Sequence, residues 1–179
     1  MSTQFDPDIH TKPRDSEVGA MRSILQRLGQ TMQRDLLVQT TTDDIRNTLQ
    51  VDRVVIYYFY NQWEGQVTFE SLSDRRFSIY GSTGPDQCFN DEYAEMYLTG
   101  RVRAISDIEV EPIESCHRDF LRHLEVRANL VVPILTARGL WGLLAAHHCR
   151  GPKAWSPENV ERMQTGAAVL SSAPSIKQG

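Results

Sequence analysis

Between residues 16 and 32 the apolar positions Val18, Met21, Ile24, Leu25, Leu28 and Met32 recur three or four apart, the spacing of one buried stripe on a helix. The period weakens at Arg34 and Asp35, then resumes through Leu37, Ile45 and Leu49, which predicts a second helix. The pattern then changes kind. Residues 54–60, VVIYYFY, are an unbroken run of β-branched and aromatic side chains and predict a central strand. After a turn at residues 61–65, the alternation in QVTFESL, residues 66–72, predicts its hairpin partner. Residues 73–89 show no period and are broken by Gly81, Gly84 and Pro85; so long a connection in a compact domain is commonly functional.

Asn90 is placed to cap a helix that runs through Tyr97 and ends at Gly100, and residues 101–108, RVRAISDI, alternate as a short strand. A further helix follows Ser115. The segments ANLVVPIL and GLWGLLAAHHC, separated by residues 136–138, predict two adjacent strands. Ser156 as N-cap and Pro157 in the first turn open a last helix. The fold class is therefore α+β: a mainly antiparallel sheet of five or six strands, helices on one face, and long connections over the other, under which a ligand would sit. The expected organisation is a flexible segment at residues 1–15, one domain at 16–172 and a tail at 173–179.

Composition narrows the function classes. The 179 residues suffice for one substantial core. Nineteen Lys and Arg against 23 Asp and Glu give a net charge of −4, and no basic block or arginine-rich helix offers a surface for nucleic acid. The first residues lack the apolar core of a secretion signal, and no apolar run of about 18 residues could span a bilayer. The expectation is a soluble, cytoplasmic protein without membrane contact.

The chemistry that stands out is sulfur and imidazole. Cys88, Cys116 and Cys149 are odd in number and widely spaced, so free thiols are expected rather than a disulfide framework. With His117, His147 and His148 they lack the spacing of a preassembled zinc site. Cys149, ending an apolar strand, reads as a small buried hydrophobe. Cys116 sits among charged residues in the first turn of a helix, where the helix N-terminus favours thiolate, and Cys88 lies in the loop GPDQCFND; each reads equally as reactive thiol or bystander. Cys116 and the adjacent His117 diverge by about 100° on a helix, so they cannot readily serve each other, although both could face one ligand. His147 and His148 are consecutive on a strand, and only one of them can face a site.

Taken together, Cys116-His117, LEVRANLVVPIL, GLWGLLAAHH, GRVRAISDI and the Asp-x-Cys-Phe motif at residues 86–89 resemble the GAF domain of cyanobacteriochromes, bilin photoreceptors of the phytochrome superfamily, over about residues 20–170. The Asp-x-Cys-Phe motif resembles that of the two-cysteine subgroup. The resemblance implies a covalent linear tetrapyrrole, phycocyanobilin or its isomer phycoviolobilin. It implies a thioether from Cys116 to ring A and a second, reversible bond from Cys88. His117 and Asp86 would lie near the pyrrole nitrogens, Arg101 would pair with a propionate, and His147 would lie near ring D or a propionate. Phe89, Tyr97 and Leu121 complete the implied binding set. Tyr58 departs from the arginine common in the family's strand, and residues 73–81 lack its tryptophan.

A photosensor, not an enzyme, is implied, with bilin attachment and isomerisation its only self-directed chemistry. Its output would pass to a second copy or a downstream signalling protein. The alternatives are a thiol-redox enzyme similar to free methionine sulfoxide reductases and a colourless ligand-binding or dimerisation module.

Overall fold

Asp35 stops one helix and starts the next. α1 (Pro13–Gln33) ends just before it, and α2 (Leu36–Leu49) begins just after it with the Leu37 N–H donating to the Asp35 carboxylate at 3.1 Å. Gln50, at φ 54°, closes α2 in the left-handed conformation, its N–H donating to the Arg46 carbonyl. The chain then forms β1 (Arg53–Asn61) and β2 (Glu64–Leu72), a 3-10 turn at Arg75–Phe77, α3 (Asp91–Leu98), β3 (Arg103–Ile105) and α4 (Ser115–His123). β4 (Ala128–Thr136), β5 (Gly139–His148), α5 (Pro157–Leu170) and α6 (Pro174–Lys177) complete it. The computed structural model describes residues 13–61, 64–83 and 91–177. Among these, no helix is long and apolar enough to cross a membrane.

The sheet runs β2-β1-β5-β4-β3 with every neighbouring pair antiparallel, the α+β architecture expected. Because side chains alternate along a strand, Val54 and Ile56 of β1, Leu130, Val132 and Ile134 of β4, and Leu144 and Ala146 of β5 share one face. They pack on Met32, Ile45, Leu49, Met163 and Leu170 from the helices. The intervening residues Val55, Val131 and Ala145 face the other way, toward Tyr97 and Ile79. One face thus carries the main core and fixes the sheet; the other holds the site.

Three expectations shift. The strand predicted over residues 101–108 is paired only at Arg103–Ile105, because the Ser106 N–H is taken by Glu111 Oε1 at 2.7 Å and Asp107 caps a turn by accepting from the Glu109 N–H. Residues 173–177, set apart as a tail, pack on the domain: Ala173 and Ile176 are buried in the main core, and the Ser175 hydroxyl donates to Asp35 at 2.7 Å. In α1, Leu25 and Met32 are buried, but Val18 and Ile24 of the predicted stripe are exposed.

Candidate functional site

The second face of the sheet forms the floor of a cavity of about 140 Å³ that is partly open to solvent. The floor is Val55, Tyr57 and Phe59 of β1, Asn129 and Val131 of β4, and Leu143, Ala145 and His147 of β5. Tyr97 of α3 and His117, Phe120 and Leu121 of α4 form walls, and Arg101 and Arg103 reach in from the edge beside β3. Apolar and aromatic walls with a few convergent polar groups suit a largely apolar ligand, and the two guanidinium groups suit one that carries carboxylates. One buried polar atom on the floor, Asn129 Oδ1, has no hydrogen-bond partner. Such an atom is costly unless a water or a ligand answers it.

Strand parity resolves the consecutive histidines. His147 is buried and lines the cavity, whereas His148 points to the other side and bonds through Nδ1 to the Gly151 carbonyl at 2.7 Å. Burial, and then the neighbouring Arg53 guanidinium, hold the His147 pKa well below its ordinary value. Arg53 is itself fully buried: Nε donates to His147 Nδ1 at 2.8 Å, Nη1 to the Phe77 carbonyl at 2.8 Å, and Nη2 to the Leu124 carbonyl.

His117 is also neutral at physiological pH. Burial, followed by the charges of Arg103 and Arg101, pushes its pKa down to about 4 from 6.5. The unfolded chain therefore takes up the proton first as pH falls. The stability associated with neutral His117 is complete above about pH 6.5 and is lost progressively down to about pH 4, a loss of about 3 kcal/mol at about 1.36 kcal/mol per pH unit. Urea unfolding of bilin-free protein across this range should show a steeper loss for wild type than for His117→Gln. Parallel profiles would remove His117 from the acid response.

Of the residues implied by resemblance, Arg101, His117, His147, Tyr97 and Leu121 line this one cavity. Arg101 also lies over the Tyr97 ring, 5.8 Å from its centroid. Asp86, Cys88 and Phe89 lie outside the described residues. Cys116 stands exposed in the first turn of α4, one residue before His117. It is disulfide-bonded, against the expectation of free thiols, because wide spacing along the chain does not prevent the fold from bringing sulfurs together. Cys149 is free and half-buried, and burial pushes its pKa up to about 11.

The GAF domain family model matches residues 33–173, most of the chain. The chain belongs to the GAF domain family. This GAF domain is 50% identical over 151 residues to an uncharacterized protein of Picosynechococcus, covering 84% of this chain and 93% of that one. It is 30% identical to the circadian input-output histidine kinase CikA of Synechocystis, covering 86% of this chain but only 24% of the kinase. Among solved structures, the blue-light absorbing form of the Thermosynechococcus elongatus PixJ GAF domain matches with a TM-score of 0.67 and 34% identity, over 75% of this chain and 83% of that one. A phycocyanobilin-bound GAF domain from a cyanobacterial phytochrome matches with a TM-score of 0.68 and 30% identity, over 84% and 91%. Its structural neighbours are thus photoreceptor GAF domains, cyanobacteriochrome PixJ and bilin-bound phytochrome among them.

Sequence reasoning missed three polar residues of this GAF domain's site. Arg103 was legible: it shares a face with Arg101 two positions earlier. Asn129 had a weaker signal, as a polar residue inside the otherwise apolar run at residues 128–135. Arg53 had none, since an arginine at a strand's start ordinarily reads as solvated. Tyr58, the departure from the family pattern, faces the main core and stacks on Trp141 at 4.7 Å.

Proposed function

We propose that this GAF domain is a bilin photoreceptor that carries phycocyanobilin or phycoviolobilin on Cys116 and switches colour through a second, reversible bond from Cys88. The observation that carries the reading is that Arg101, His117, His147, Tyr97 and Leu121, drawn from separate elements, line one largely apolar cavity. The likeness to bilin-bound and blue-absorbing GAF domains supports it. Attachment is a net addition of S–H across a ring A double bond, sulfur to one carbon and hydrogen to its neighbour, with no oxidant required. When bound, the tetrapyrrole supplies the photochemistry, isomerisation of the double bond between rings C and D. The protein positions it: His117 beside the pyrrole nitrogens with Asp86, Arg101 on a propionate, and His147 at one end. Output through a second copy or a downstream signalling protein belongs to the same proposal.

Expression in cells that make phycocyanobilin should give a coloured, photoreversible protein with one blue-absorbing state. The other state should be green if the pigment has become phycoviolobilin, and orange to red if it has not. Difference spectra of acid-denatured protein identify the pigment and its isomer. A colourless product, or one indifferent to illumination, overturns the proposal.

The Cys116 disulfide favours a second reading, thiol-redox chemistry similar to that of free methionine sulfoxide reductases. Turnover of methionine sulfoxide by bilin-free protein, with a thiol reductant as electron donor, would support it. Absence of turnover would dismiss it.

A further inference from the structure

Away from the cavity, the end of α1 meets the start of α2 and the short helix α6 around a surface groove of about 710 Å³. Arg27 of α1, Arg34 immediately after that helix, Leu36 and Leu37 of α2, and Pro174 and Ser175 of α6 line it. A helix rises about 1.5 Å per residue, so the two arginines, seven positions apart and facing one groove, are separated by about 10 Å. Leu36 and Leu37 follow at the junction, 74% and 37% exposed.

The charges in this groove are unbalanced. Among the described residues neither Arg27 nor Arg34 enters an ion pair. Asp35 also borders the groove, but its carboxylate is turned onto the Leu37 N–H at 3.1 Å and onto the Ser175 N–H and hydroxyl at 3.0 and 2.7 Å. The chain as a whole carries a net charge of −4. Two uncompensated guanidinium groups beside two bare leucines are therefore a local exception, complementary to a segment that is both acidic and apolar. A nucleic acid fits less well: two cations on an acidic chain are few for a phosphate backbone, and the leucines would stay uncovered.

We propose that this groove docks a segment of a partner protein that carries two carboxylates about 10 Å apart and an apolar side chain beside the second. Each carboxylate takes one arginine, and the apolar side chain covers Leu36 and Leu37. The inference goes beyond the photoreceptor reading and does not depend on it, because the groove shares no residue with the cavity.

The probe is a fluorescent helix-forming peptide with two glutamates seven positions apart and a leucine one turn beyond the second. Its twin has glutamine at both glutamate positions. Binding to the full chain without bilin is read by fluorescence anisotropy. An exposed charge pair is worth at most about fivefold in affinity. Wild type should therefore prefer the glutamate peptide by about tenfold, and the preference should shrink as salt rises. Arg27→Gln and Arg34→Gln should each weaken the glutamate peptide by about threefold, and the double variant should show no preference. Leu36→Ser should weaken both peptides alike. These side chains are exposed, and far-UV circular dichroism and urea midpoints equal to wild type keep a loss of binding from being a loss of fold. Equal binding of the two peptides by wild type, no binding at all, or a double variant that keeps the preference overturns the docking site. A wild-type dimer that the double variant breaks in sedimentation would put a second copy in the groove and overturn the partner assignment.

Discussion

Cys116→Ala abolishes covalent pigment attachment. After expression with a phycocyanobilin pathway, wild type should give a band on a denaturing gel that fluoresces with zinc, and the variant should fall to background. Denaturation removes every non-covalent contact, so only a sulfur–carbon bond survives it. A persistent band would move the anchor to another residue. Because Cys116 is disulfide-bonded in this structure, and one sulfur cannot hold a disulfide and a thioether together, oxidised protein should also fail to load until a thiol reductant is added. Loading that is indifferent to reductant would show that the disulfide does not compete. His117 lines the cavity one residue further along α4, so the helix that would carry the anchor also presents a cavity wall.

Cys88→Ala removes the blue-absorbing state while leaving the pigment attached and photoactive. Net addition of S–H, sulfur to the bridge carbon between rings B and C and hydrogen to a ring nitrogen, interrupts the conjugated path and shortens the absorption wavelength. Elimination restores it. A change of about 2.7 kcal/mol in the free energy of this step alters the adduct ratio a hundredfold, so the modest rearrangement that follows rotation of ring D suffices as a switch. Absorption spectra of both photostates check it. A blue state that survives in the variant sinks the two-cysteine photocycle without touching the Cys116 anchor.

How much of the site could be read along the chain differs residue by residue. Parity on a strand says that only one of His147 and His148 faces the ligand side, but which one depends on the register of β5 between β1 and β4, where His147 stands between Arg53 and Asn129. The divergence of neighbours on a helix is likewise visible in sequence, and in α4 it leaves His117 lining the cavity while Cys116 stays exposed. Arg53 could not be found this way. Its burial is tolerated only because three partners from distant segments, His147, Phe77 and Leu124, meet its donors. The packing of the last residues was not legible for a similar reason: a short polar stretch gives no periodic signal, yet Ile176 is buried in the main core.

Local patterning alone determined the longer helices and strands and the alternating faces of the strands, because a period of 3.6 or 2 is a property of neighbouring residues. It also supplied the motifs that imply the pigment. Tertiary structure decided which side chains share the cavity, that His147 rather than His148 lines it, and that Cys116 is not a free thiol. Those depend on strand register and on groups far apart in the chain coming within hydrogen-bonding or bonding distance, which no local pattern encodes.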